Sequence, residues 1–372
     1  MIPFDTYPRS RHIPSYEVIR IHDSLRKGSS ANGRRQKKDM SKLPRVALII
    51  TGGTIDSVGT DRLDLAWYIE AGKRLNTGEL LAQLPELESI ARVEEFPFRR
   101  LPSHALVDKD WLDLVRTIHS IFDDDRADGI VITHGTNTIE ETAYFLNLTL
   151  KTDRPVVIVG AMRPSSALSA DGYLNLLNAA RVAGDPSSRG RGALLAMNDT
   201  IYSGRDVTKT ATYRVQAFQG RDLGPLGYSD ADGKVVYYHQ SVKPHTVNTE
   251  FDVRDRQSLP RVDVVVSYVG ADGAMIDAAV AAGARGIISA GTGAGRPTPA
   301  EDEAFNRASK KGVIICIGTR VGSGRVVRSP GLVRRGFVAS DNLQPWKARV
   351  LLALALTKTS DPDEIQRCFN TY

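Results

Sequence analysis

A chain of 372 residues is long enough for one or two domains, and its 41% hydrophobic content supplies a sizeable core, which excludes disorder of the whole chain. The net charge of +6 resides in residues 1–44, which hold ten Lys or Arg against four Asp or Glu, so a nucleic-acid reading from charge applies to that tail and not to the neutral body. No apolar run approaches the ~18 residues of a membrane span, and Cys316 and Cys368 have neither metal-ligand spacing nor the density of a disulfide-framed secreted chain.

Residues 1–44 read as a basic extension. SSANGRRQKKDMSK is polar and poor in apolar residues, as in flexible linkers. Ile13 to Leu25 scatters apolar residues in a way that suits a short helix or a docked arm. It lacks the roughly 7–15-residue apolar centre of a secretory leader, so the expected compartment is the cytoplasm.

Arg45 to Ile50, RVALII, reads as a buried strand running into Thr51-Gly52-Gly53-Thr54, where paired glycines permit a positive-φ turn. A loop and a helix follow between Asp61 and Leu84. A short strand is expected over Phe96 to Leu101, and an amphipathic helix over Trp111 to Ile121. Ile130 to Ile132 reads as another buried strand. It ends in the polar turn Thr133-His134-Gly135-Thr136-Asn137-Thr138, and Glu140 and Glu141 then open a helix. A strand at Pro155 to Val159, a helix from Ala170 to Ala183 and a strand at Gly192 to Met197 come next. This alternation predicts a parallel sheet covered on both faces, with sites at the carboxyl ends of its strands.

After Asp222 the texture changes, and GPLGYSDADGKVVYYHQ reads as a hairpin. The expected organisation is an N-terminal α/β catalytic domain over 45–235, a linker over 236–260 and a smaller C-terminal α/β domain over 261–372. In the second domain, strands are expected at Val262 to Tyr268, Gly286 to Ser289 and Val313 to Ile317. Helices are expected at Ala274 to Ala282, Pro299 to Lys310 and Pro345 to Thr357.

The chemistry-bearing residues lie in the turns. TGGT and HGTNT each place a threonine at a strand end, and a threonine hydroxyl becomes a nucleophile only when a neighbouring base or cation activates it. Lys209, in the polar loop Ser203 to Lys209, is a candidate for that activation once burial lowers its pKa. The first-turn N–H groups after HGTNT and the adjacent glycines suit a developing oxyanion. The seven histidines show no metal-binding spacing, and no cofactor is expected.

In this order the segments resemble the bacterial-type asparaginase/glutaminase family. The matching stretches are TGGTI at Thr51–Ile55, GIVITHGTNTIEETAYFL at Gly129–Leu146 and VVIVGAMRPSSALSADGYLNLLNA at Val156–Ala179. MNDTIYSGRDVTKT at Met197–Thr210, GPLGY at Gly224–Tyr228 and GFVASDNLQPWKARVLLALALT at Gly336–Thr357 complete the set. The resemblance implies a two-domain α/β subunit, assembly as a homotetramer of close dimers, and hydrolysis of a side-chain amide through a threonine nucleophile. By motif the first threonine is Thr54, assisted by Tyr68; the second is Thr136, supported by Lys209. Gly53, Ser103, His104, Asn137 and the backbone near Ala161 correspond to the positions that hold the substrate.

Three positions depart from the family pattern. HGTNT replaces HGTDT, so Asn137 stands where an aspartate would receive the substrate's ammonium. Arg320 to Arg335 holds five arginines and no acid, where a partner subunit would supply a second carboxylate. Gly270 or Ala271 stands where the family often has an asparagine. An ammonium in a partly desolvated pocket needs an opposite charge. The resemblance implies L-asparagine or a related carboxylate-bearing amide as substrate, whereas the missing acids point away from a free ammonium. The alternatives are an amide lacking a free α-ammonium, such as an N-acylated asparagine or a succinamate-like compound, and a non-catalytic binding member of the family.

Overall fold

The structure is a computed structural model that describes residues 40–372. The expected helix or arm within 13–25, and all but the last few residues of the basic extension, lie outside the described residues.

In chain order the first strands are β1 (Arg45–Ile50), β2 (Ser57–Val58) and β3 (Lys73–Arg74), followed by β4 (Arg92–Phe96), β5 (Gly129–Thr133), β6 (Val156–Val159), β7 (Ala193–Met197) and β8 (Thr200–Ser203). Then come β9 (Thr208–Lys209), β10 (Phe218–Gln219), β11 (Gly227–Ser229) and β12 (Val235–Tyr237). Eight of them form one sheet in the order β12-β11-β8-β7-β6-β5-β1-β4. Neighbours from β4 through β7 are parallel, whereas β7–β8, β8–β11 and β11–β12 are antiparallel. The expected parallel sheet is therefore a mixed one. Only two residues separate β7 from β8, too few for the crossover that parallel pairing requires. The hairpin read in GPLGYSDADGKVVYYHQ is present as β11 and β12.

The buried runs explain why the central strands form. Every residue of β5, β6 and β7 is buried, as befits strands covered on both faces. In β1 the alternation divides the chain between two cores. Ala47 and Ile49 pack with α3 (Asp108–Asp123) and α4 (Ile139–Thr149), while Val46, Leu48 and Ile50 pack with α5 (Gly172–Gly184). Two short helices, α1 (Tyr68–Ala71) and α2 (Thr77–Ala82), precede them. The strand expected at Phe96–Leu101 lies earlier, at β4. It is an edge strand whose Arg92, Glu94 and Glu95 face solvent, so its sequence carries no apolar run.

A second, wholly parallel sheet has the order β13 (Val262–Val266), β14 (Gly286–Gly291), β15 (Ile314–Thr319), β16 (Val338–Ala339). Its helices include α6 (Ala274–Ala281) and α7 (Pro299–Lys310), where Thr298 and Glu301 form a reciprocal cap and Pro299 takes the first turn. The chain continues through α8 (Pro330–Arg334), α9 (Pro345–Ala355) and α10 (Pro362–Thr371). Helix α9 packs against β13, β14 and β15 and also against α4, which joins the two sheets into one hydrophobic core. Among the described residues no helix is long and apolar enough to cross a membrane.

Candidate active site

β1 and β5 are parallel neighbours, so the turns that follow them lie side by side at the carboxyl edge of the sheet. Thr51 Oγ1 ties them together by donating to the Thr133 carbonyl at 2.8 Å. Gly52 (φ 98°) and Gly53 (φ 120°) occupy the region that favours glycine. At Gly53 a Cβ would also stand 2.8 Å from the Gly135 backbone, so the two turns touch at a point where only glycine fits.

Thr54 follows, at the start of a single 3₁₀ turn ending at Asp56. The chain then leaves through β2 and returns through β3, with Ser57 opposite Arg74 and Val58 opposite Lys73. Within that closed segment, Asp64 accepts from the N–H groups of Thr60 and Trp67, which shapes the approach to α1. The result is that Tyr68 Oη lies 2.9 Å from Thr54 Oγ1. Burial pushes the Tyr68 phenol above its ordinary range, so it is neutral at physiological pH.

The second turn is held from beneath by His134. Trp111 Nε1 can only donate, and it does so to Thr142 Oγ1 at 2.8 Å. The Thr142 hydroxyl is then free to donate to His134 Nε2 at 3.0 Å, which leaves Nδ1–H to donate to the Gly135 carbonyl at 2.7 Å. Burial lowers the His134 pKa to about 4, so the ring stays neutral and the tautomer fixed.

Lys209 Nζ donates to Thr136 Oγ1 at 2.9 Å. The lysine is not in a loop as expected but on β9, which pairs with β10. Desolvation lowers its pKa from the ordinary value, against the opposing pull of Glu140. The Glu140 carboxylate also accepts from the Lys209 backbone N–H, which anchors the strand to the first turn of α4.

These groups border a single open cavity of about 620 Å³, within the range of small-molecule sites. Gly53, Thr54, Tyr68, Thr136, Asn137 and Lys209 all line it, as do Ser103 and His104. Ser103 is buried and its Oγ has no hydrogen-bond partner, while its carbonyl accepts from Thr138 Oγ1 at 2.8 Å. Ala161 does not reach the cavity surface. It is fully buried, and its neighbour Met162 lines the wall instead. Sequence reasoning did not single out Arg74 or Asp171. Asp171 accepts from the Met162 and Arg163 N–H groups and so shapes that wall. The ADG just before α5 was its available signal. Among the described residues no Asp or Glu lines the cavity, and no cluster of His, Cys, Asp and Glu is arranged to hold a metal.

Two family models match the chain: the N-terminal asparaginase domain over residues 45–243, and the glutaminase/asparaginase C-terminal domain over residues 261–369. L-asparaginase 2 of Bacillus subtilis is 42% identical over 347 residues, covering 93% of this chain and 90% of the relative. L-asparaginase 2 of Escherichia coli is 43% identical over 89% of this chain and 94% of its own, and a glutaminase-asparaginase of Pseudomonas aeruginosa is 42% identical over 89% and 91%. The crystal structure of a probable cytoplasmic L-asparaginase from Campylobacter jejuni superposes with a TM-score of 0.85 at 41% identity, covering 88% of this chain and all of its own. With both of its domains matched and relatives this similar along nearly their whole length, the chain belongs to the asparaginase family.

Proposed function

We propose that this amidohydrolase cleaves the side-chain amide of L-asparagine, or of a related carboxylate-bearing amide, to the acid and ammonia, with Thr54 as nucleophile. The observation that carries the reading is the convergence of two activated hydroxyls, Thr54 with Tyr68 and Thr136 with Lys209, on one cavity. Relatives bearing the names L-asparaginase and glutaminase-asparaginase supply the reaction class.

In the first half-reaction Thr54 Oγ1 bonds to the amide carbon. Its proton passes to Tyr68 Oη while the phenol hands its own proton on toward the leaving nitrogen, a relay open to a neutral tyrosine. Cleavage of the C–N bond releases ammonia and leaves an ester on Thr54. Water then adds to the ester, Thr54 regains its proton, and the acid departs. Lys209, 2.9 Å from Thr136 Oγ1 and with its pKa lowered by desolvation, serves as the proton acceptor behind Thr136. Ser103 Oγ, buried and unpartnered at the wall, is suited to a substrate carboxylate.

Assembly as a homotetramer and a cytoplasmic location complete the reading. Light scattering and cell fractionation check these two points. The reaction is tested by ammonia release from L-asparagine, L-glutamine, succinamate and N-acetyl-asparagine. Wild-type protein is expected to turn over at least one of them and Thr54→Ala none. Equal rates from the two proteins would refute the nucleophile.

A further inference from the structure

Arg74 stands apart from the other arginines near the site. Arg74 lines the cavity, yet its guanidinium donates no hydrogen bond to any described residue, although it carries five N–H donors. By contrast, Arg100 beside it donates to the Leu75 carbonyl and to Thr77 Oγ1. Arg74 has one ion pair, to Asp56 at 3.5 Å, where the geometry falls short of a hydrogen bond. Asp56 is itself fully buried, and neither of its carboxylate oxygens accepts a hydrogen bond. A second guanidinium, Arg100, lies 3.9 Å from it on another side.

The two arginines hold that carboxylate, and the carboxylate in turn holds Arg74 in place. The Arg74 Nη1 atom lies 2.9 Å from where a Gly52 Cβ would sit, so the guanidinium rests on the turn that leads to Thr54. Leu101 abuts the same glycine, and two residues later Ser103 lines the same cavity. The wall therefore offers an unused guanidinium fork, and among the described residues no Asp or Glu lines the cavity to repel an anion. A planar fork of donors matches a carboxylate, and charge-assisted hydrogen bonds of this kind are about twice as strong as neutral ones.

We infer that Arg74 is a substrate-binding residue that receives the carboxylate of the amide substrate together with Ser103 Oγ, and that Asp56 is the positioning residue that aims its guanidinium. The inference rests on the reading of this cavity as the amide-hydrolysing site and adds to it a determinant of selectivity: amides bearing a carboxylate are preferred over their uncharged counterparts because of Arg74.

The test compares ammonia release from L-asparagine and succinamate with release from the methyl ester of each, in wild type, Arg74→Met and Arg74→Lys. In wild type kcat/KM favours the free carboxylates. In Arg74→Met the acid-to-ester ratio of kcat/KM falls about 10–100-fold, chiefly through KM, and Arg74→Lys recovers part of it. Removing Arg74 alone leaves Asp56 less compensated, so the double variant Asp56→Asn/Arg74→Met, which removes both charges, is measured beside it and shows the same lost ratio. In Asp56→Asn alone, KM rises more for the acids than for the esters. Equal losses on acid and ester in the Arg74 variants would overturn the inference and leave Arg74 as support for the β2–β3 hairpin. So would an unchanged ratio. A wild-type enzyme that releases no ammonia from any of the four compounds would refute the proposed reaction itself.

Discussion

Replacing Lys209 by methionine separates the chemistry of its amine from the packing of its stem. The amine donates one hydrogen bond, to Thr136 Oγ1 at 2.9 Å, and is half-buried. Methionine keeps much of the stem volume and loses that bond, worth about 0.5–1.5 kcal/mol net. Removal of a desolvated ammonium offsets part of the loss, so Tm should move by no more than about 4 °C in a chain of this size. Activity should fall far more, because a positioned proton acceptor contributes about 10²–10⁴-fold.

The pH dependence gives the sharper test. Desolvation lowers the Lys209 pKa, and the proposed proton acceptor is the neutral amine. Wild-type kcat/KM therefore rises with pH up to and through that lowered pKa and is lost as the amine protonates below it. The Lys209→Met profile loses this limb. Linkage has the same sign. Between the folded pKa and the ordinary lysine value the unfolded chain binds more protons, so stability rises with pH across that window, and Lys209→Met loses the contribution. The assay is ammonia release from pH 5 to about 10, with thermal melts at each pH. Lys209→Met activity within about fivefold of wild type would remove Lys209 from the proton transfer. Full activity in Lys209→Arg, which keeps a cation but cannot deprotonate, would do the same.

Three further outcomes follow from the same geometry. Tyr68→Phe deletes the partner of Thr54 Oγ1 and should lower kcat by about 10²-fold or more with an unchanged melt, whereas wild-type kcat in steady-state assays would remove Tyr68 from the mechanism. Gly53→Ala forces a side chain into φ 120° and against Gly135. It should cost about 1–3 kcal/mol in chemical denaturation and most of the activity, and a variant as stable as wild type would show that the two turns are not in contact. Asn137→Asp gives the cavity its first lining carboxylate. It should raise kcat/KM for L-asparagine relative to succinamate by about tenfold, and an unchanged ratio would show that Asn137 does not face the ammonium.

The central strands were legible because burial on both faces requires continuous apolar runs. RVALII and GIVIT therefore appear in the structure at β1 and β5, with their boundaries within a residue or so of those read. β4 was misplaced because an edge strand needs no such run, and its charged residues read as loop. In the antiparallel flank the β11–β12 hairpin was legible, but β8 escaped because strand direction depends on connection length and so short a strand shows no clear period. Thr54, Thr136 and Lys209 were legible as motifs. The closeness of Tyr68 to Thr54 depends on the Ser57–Arg74 pairing, which no local pattern announces. Arg74 was invisible for the same reason. In sequence it is one more basic residue in GKRL, and only the hairpin folds it back onto Gly52.

The claim that Thr54 carries the acyl group is tested most directly by rapid quench followed by intact-mass and peptide mapping during turnover of the best substrate. A transient acyl adduct is expected on the Thr54 peptide, absent in Thr54→Ala, with ammonia release preceding release of the acid. An adduct on Thr136, or sustained turnover by Thr54→Ala, would contradict it.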